Sequence, residues 1–188
     1  MTPAPLILAS ASPQRRSILS QVGIRFEVRP ANVPEDEEGD PAEVAEANAR
    51  RKAAAVEAPP GALVLGADTL VAIGGEILGK PDGEAQARDF LERLGGRTHQ
   101  VVGAVALAED GDVVLVAAER TLVSFRRLTP ALVDWYVSTG EWQGRAGGYA
   151  IQGAGAVLVT GVQGDYLNVV GLPLARLLDL RPDLLPAV

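Results

Sequence analysis

Two lysines stand out in this chain. Of its 17 basic residues only Lys52 and Lys80 are lysine, and all the others are arginine. A compact ammonium and a planar guanidinium do different chemistry. A chain that otherwise chooses arginine therefore points to a requirement at these two places, with an arginine-rich genome, and for Lys52 a solvated helix face, as the alternative. Ser10, Ser12, Arg15 and Arg16 fall together in SASPQRR, between the apolar run PLILA and the helical pattern SILSQVG. At a strand-to-helix joint, free backbone N–H groups and the positive end of the helix dipole point outward, a place that suits phosphate. Hydroxyls add donors there, and arginine adds a bidentate fork. The bland alternative is a plain N-cap with exposed arginines; a Walker loop is excluded because its glycines are missing. Asp68, in GADT, closes an apolar run as either a turn residue or a catalytic acid, and Glu35 opens an acidic stretch that is either solvated or able to hold a metal. Together these residues suit hydrolysis of a phosphate anhydride assisted by Mg²⁺ or Mn²⁺. The metal would bridge phosphate oxygens and activate water, and a carboxylate would take the water's proton.

Other chemistries lack their residues. There is no cysteine, which removes disulfides, thiol nucleophiles and cysteine metal sites and fits a reducing cytoplasm. The single histidine, His99, lies in a strand pattern and no G-x-S-x-G elbow is present, which argues against serine–histidine catalysis and a histidine zinc site. The glycines of GGYAIQGAG lack the register of a dinucleotide fingerprint. A net charge of −7, a pI near 4.8 and eight aromatic residues argue against nucleic acid as partner. No apolar run approaches the roughly 20 residues of a membrane helix, and MTPAPLILAS reads as carrying no signal peptide.

The elements that must position these residues follow from apolar periodicity and breakers. Strands are predicted at 5–9, 25–29 and 62–73, with a glycine–glycine hairpin turn at 74–75 before GEIL. Residues 98–108 and 113–125 form a long predicted hairpin across EDGD. Helices are predicted at 14–22, 41–56 and 84–94, after Thr129-Pro130, and at 172–180. A glycine-rich loop spans 139–156, a strand follows it, and GVQGDY reads as a turn. The pattern predicts one α/β domain over residues 1–188, with helices around a mixed, twisted sheet.

The segments LASASPQRRSIL, GADT, GEILGKP, LGGRTHQVV, AGGYAIQGAGA and GDYLNVVGLPLARL occur in this order. In that arrangement, over about residues 5–180, the chain resembles the Maf family of nucleoside triphosphate pyrophosphatases. The resemblance implies cleavage between the α and β phosphates of a nucleoside triphosphate with a divalent cation, giving monophosphate and pyrophosphate, in a house-cleaning role. It implies a two-lobed α/β fold around a cleft, similar to the inosine-triphosphate pyrophosphatases, and a homodimer. Carried over by motif, Ser10, Ser12, Lys52, Lys80 and Arg15 hold the triphosphate, Asp68 is the general base, and Glu35 with Asp68 lies near the metal. Thr69 and Gln152 match the dTTP/UTP-hydrolysing branch, where they would read a pyrimidine edge. Gln14 stands where that branch usually has arginine, and Gly144-Arg145 where members often have Asp-Lys. The competing readings are the same chemistry on 7-methyl-GTP and a non-catalytic nucleotide-binding regulator of septum formation.

Overall fold

Breakers and caps in the sequence set the limits of the elements. A computed structural model describes residues 5–186. In chain order the elements are β1 (Leu6–Leu8), α1 (Pro13–Gln21), β2 (Phe26–Val28), α2 (Pro41–Ala54), β3 (Leu63–Ile73), β4 (Glu76–Leu78) and α3 (Glu84–Leu94). There follow β5 (Thr98–Glu109), β6 (Asp112–Phe125), α4 (Pro130–Ser138), β7 (Val159–Gln163), α5 (Tyr166–Val170) and α6 (Leu174–Leu180). Ser12, Asp40, Thr129 and Asp165 cap α1, α2, α4 and α5 with side-chain oxygens that accept first-turn N–H groups. Proline occupies the first turn of α1, α2 and α4, where its missing N–H costs nothing. The β3–β4 turn is Gly74-Gly75, both at positive φ (63° and 86°), as a two-residue hairpin turn of this hand requires.

The strands form one mixed seven-stranded sheet in the order β2-β1-β3-β5-β6-β7, with β4 on β3 as well. β1 runs parallel to both β2 and β3, and every other pairing is antiparallel. The long strand β3 is shared along one edge. β1 pairs with its first residues, Leu63–Leu65, and β4 pairs with its last, Val71–Ile73. Between them, residues 66–70 have a sheet partner on β5 alone. Asp68 and Thr69 sit in that gap.

Alternation along β3 divides the core. Leu63, Leu65 and Ala67 pack with Ile18 and Leu19 of α1 and Leu174 and Leu177 of α6. Val64 and Leu70 share the other face with Val44, Ala45, Ala49 and Ala53 of α2. A third cluster joins Val71, Ile73 and Leu78 to Phe90, Leu91 and Leu94 of α3 and to Val133, Tyr136 and Val137 of α4. The first two clusters make one lobe and the third makes the other, with the gap in the sheet edge between them. The helices flank a mixed sheet, as the sequence pattern predicts, and the division of the core fits the two lobes that the family resemblance implies. Burying each large aliphatic side chain in these clusters stabilises the fold by about 1.5–3 kcal/mol against the cost of ordering it.

Two segments differ from the sequence reading. GVQGDY is not one turn: Gly161 to Gln163 continue β7, and Asp165 caps the short helix α5. The last helix begins at Leu174, because Gly171, at φ 138°, closes α5 and Pro173 precedes the new helix. The glycine-rich segment holds two 3₁₀ turns, at Ala146–Gly148 and Ala154–Leu158.

Candidate active site

Period two on β3 sends Asp68 and Thr69 to opposite faces of the sheet. Asp68 follows Val64 and Gly66 onto the face of α2, and Thr69 follows Leu65 and Ala67 onto the face of α1. Each then meets a cation that its helix delivers.

On the α2 side, the alanine stripe Ala45, Ala49 and Ala53 lies flat on the sheet. Gly66 permits the approach: a Cβ there would lie 2.1 Å from the Ala49 carbonyl oxygen and 2.6 Å from the Ala53 nitrogen. Lys52 is thereby carried to Asp68. Its ammonium, 6% exposed as a residue, lies 2.6 Å from Asp68 Oδ1, 2.6 Å from Glu35 Oε1 and 3.3 Å from the Ala67 carbonyl. Lys80, in the connection after β4, donates to Glu35 Oε2 at 2.9 Å. Burial pushes the Glu35 carboxyl up, but hydrogen bonds and charge from Lys52 and Lys80 outweigh it and hold it at about 2. Asn48, one turn before Lys52, donates to Asp68 Oδ2 at 3.0 Å.

On the α1 side, Ser12 is the helix cap: its hydroxyl accepts the Arg15 N–H at 3.4 Å and donates to Gln14 Oε1 at 3.2 Å. Arg15 turns back under the loop. Its guanidinium donates to the Gly171 carbonyl at 2.8 Å, to Ser10 Oγ at 2.9 Å and to Thr69 Oγ1 at 3.2 Å. Three of its five N–H groups are thus engaged with the protein, which leaves two for a ligand. Burial pushes this guanidinium down from its ordinary value, against the opposing pull of Asp68 and Glu35. The Thr69 hydroxyl donates to the Gly171 carbonyl at 3.2 Å. Having accepted from Arg15 and given its proton to Gly171, it can offer a ligand only a lone pair.

Ser10, Ser12, Gln14, Arg15, Glu35, Lys52, Asp68, Thr69, Lys80 and Gln152, all singled out in the sequence, line one cleft of about 580 Å³, whereas Arg16 of the same SASPQRR stretch is exposed and does not. Gln143 and Arg145, from the loop after α4, line it too. His99, set aside as structural, is buried outside the cleft lining: its Nε2 pairs with the Tyr149 hydroxyl at 2.8 Å, edge-on to Phe125. The sequence reading missed Asn48 and the Gly171 carbonyl. Asn48 lies i,i+4 from Lys52, but no local signal says that this face of α2 meets the acidic loop. A backbone acceptor 156 residues from Arg15 leaves no local trace.

The fold and site define an α/β protein whose cleft, at a break in a mixed sheet, sets the buried Asp68 and the more exposed Glu35 against lysine and arginine. The Maf-like protein family model matches residues 5–182, and the chain belongs to that family. It is 51% identical over 181 residues to a dTTP/UTP pyrophosphatase of Symbiobacterium thermophilum, covering 93% of this chain and 91% of the relative. With a dTTP/UTP pyrophosphatase of Pyrococcus furiosus it shares 47% identity over 179 residues, covering 93% of each. Among solved structures, a nucleoside-triphosphatase/dITP/XTP pyrophosphatase from Mycobacterium abscessus aligns with a TM-score of 0.47 at 16% identity, covering 95% of this chain and 93% of that one. No helix among the described residues is long and apolar enough to cross a membrane.

Proposed function

We propose that this protein is a nucleoside triphosphate pyrophosphatase that hydrolyses dTTP and UTP to the monophosphate and pyrophosphate. The observation that carries the reading is the Lys52 ammonium, 2.6 Å from both Asp68 and Glu35 at the floor of a cleft that also holds Lys80 and Arg145. The names of the relatives supply the substrate class. The Thr69 lone pair suits the N3–H donor of thymine or uracil, and the Gln152 amide can meet a neighbouring carbonyl.

The reaction needs water activated beside a polyanion. Asp68, oriented by Asn48 and Lys52, takes one proton from the water as the α–β anhydride bond breaks. Lys52, Lys80, Arg145 and the two free N–H groups of Arg15 balance the phosphate charge that grows on the departing pyrophosphate. Ser10 and Ser12 hold the triphosphate at the head of α1. Glu35 and Asp68 fit a divalent cation. Among the described residues there is no cage of three acidic or histidine ligands, but two carboxylates already meet at one cation, and Mg²⁺ is commonly held by one or two carboxylates plus substrate phosphates. Glu35 and Asp68 would hold it, and it would supply Lewis-acid polarisation of the phosphates and a lowered pKa for water. A cytoplasmic homodimer belongs to the same proposal, on the ground of the family resemblance, and light scattering checks the dimer.

The test is purified protein with Mg²⁺ or Mn²⁺ and a panel of nucleoside triphosphates, read as pyrophosphate against orthophosphate. The expected result is pyrophosphate from dTTP and UTP, lost with chelator and reduced about 10²–10⁴-fold in Asp68→Asn. Turnover favouring 7-methyl-GTP would overturn the pyrimidine reading and keep the chemistry. Nucleotide binding without turnover would leave the non-catalytic regulator.

A further inference from the structure

Asn48 is almost completely buried (1% exposed) on a helix whose other buried residues are Val44, three alanines and Lys52. An amide in such a place costs stability unless its capacity is filled. Here it is filled. Nδ2 carries two hydrogens; one goes to the Asp36 carbonyl at 2.9 Å and the other to Asp68 Oδ2 at 3.0 Å. Oδ1 accepts the Asp36 N–H at 2.9 Å and Arg51 at 3.3 Å. Arg51, three residues on, also reaches the Pro34 carbonyl at 2.6 Å and the Asp36 carboxylate at 2.5 Å. One face of α2 therefore grips residues 34–36 from both sides of Glu35, and the residue nearest the grip's centre also touches Asp68.

We propose that Asn48 is a positioning residue for the reaction: one amide clasps the loop that presents Glu35 and at the same time fixes the second oxygen of Asp68. Only a side-chain amide of this length can accept from one backbone N–H while donating to a carbonyl and to a carboxylate. The clasp holds both carboxylates through contacts separate from those of the Lys52 ammonium, which itself bridges Asp68 and Glu35. Orientation of this kind governs rate steeply, because an error of about 1 Å can cost about 100-fold. The inference rests on the reading of Asp68 and Glu35 given above.

Two variants and two readouts test it. Asn48→Ala removes both arms of the clasp. Asn48→Asp keeps the acceptor for the Asp36 N–H and loses both donors, to the Asp36 carbonyl and to Asp68. Hydrogen exchange at the Asp36 amide, followed by NMR on the nucleotide-free protein, is expected to accelerate about tenfold in Asn48→Ala and by less in Asn48→Asp, which keeps the acceptor for that N–H. In dTTP and UTP turnover, kcat is expected to fall about 100-fold in both variants with KM within about threefold. Unchanged kcat in folded variants, whatever happens to the melting temperature, would overturn the positioning role. Equal exchange in wild type and Asn48→Ala would overturn the clasp. A wild type that releases no pyrophosphate would sink the functional reading instead, and the exchange measurement would still decide the clasp.

Discussion

Gly66→Ala adds a single methyl group to GADT, and the structure lets its effect be worked through to the site. The new Cβ would stand 2.1 Å from the Ala49 carbonyl oxygen, where ordinary contact begins at 3.4 Å. That oxygen belongs to the backbone, so no shortening of a side chain relieves the clash and α2 must lift by about 1 Å. Lys52 lies in the chain between Ala49 and Ala53, the two residues struck, and rises with them. Its 2.6 Å contact with Asp68 then opens to about 3.6 Å, beyond hydrogen-bonding distance. Overpacking of this kind costs about 1–3 kcal/mol, which is about 2–4 °C of melting temperature per kcal/mol in a chain of this length. Loss of alignment at the carboxylates costs about 100-fold in kcat. The assays are thermal unfolding and pyrophosphate release from dTTP at saturating substrate. A Gly66→Ala protein with wild-type melting temperature and wild-type kcat would show that α2 does not need to lie this close, and the account of how Lys52 reaches Asp68 would fail.

Two further outcomes test the electrostatics. Lys52→Met leaves the buried Asp68 carboxylate without its cation and is expected to destabilise the protein by about 3–5 kcal/mol; adding Asp68→Asn should restore part of that loss. Denaturant midpoints of the four proteins measure the coupling, and strict additivity would refute the pairing. His99 is held neutral by burial, its value pushed down to about 4 from an ordinary 6.5. The unfolded chain binds the proton more readily, so stability is full above about pH 6.5 and is lost as pH falls toward 4, by about 3 kcal/mol in all. The difference between wild type and His99→Gln across that window isolates this loss from the carboxylates, and parallel stability curves would refute it.

Residue type and local order made much of this molecule legible. The two lysines proved to be neighbours through Glu35 because a compact ammonium was kept where a carboxylate had to be shared. The strand limits, the Gly74-Gly75 turn and the cap at Thr129 are local signals, and the structure follows them. What stayed hidden depends on distance along the chain or on the backbone. Gly66 reads in sequence as an ordinary strand interruption; its purpose shows only when α2 lies across it. Asn48 in AEANARRKA reads as one more polar residue on a solvated helix, since nothing local says which face meets the acidic loop. α5 has five residues, too few to show a period, and the glycine inside VTGVQ disguised a strand as a turn. The gap in the edge of β3 is a property of pairing, and neither β1 nor β4 announces in sequence where along β3 it docks.

The bond from Arg15 to the Gly171 carbonyl joins the beginning of the chain to a point near its end, 156 residues later. At about 5–20 residues per second, a ribosome needs about 8–30 s to bridge that interval. Through all of it the growing polypeptide already carries its serines and its guanidinium, but the acceptor that aims the guanidinium has not been made. Competence to grip a nucleotide is therefore a property of the finished chain. A nascent chain stalled or cut before Gly171 keeps every residue of SASPQRR and lacks the shape that makes them a site.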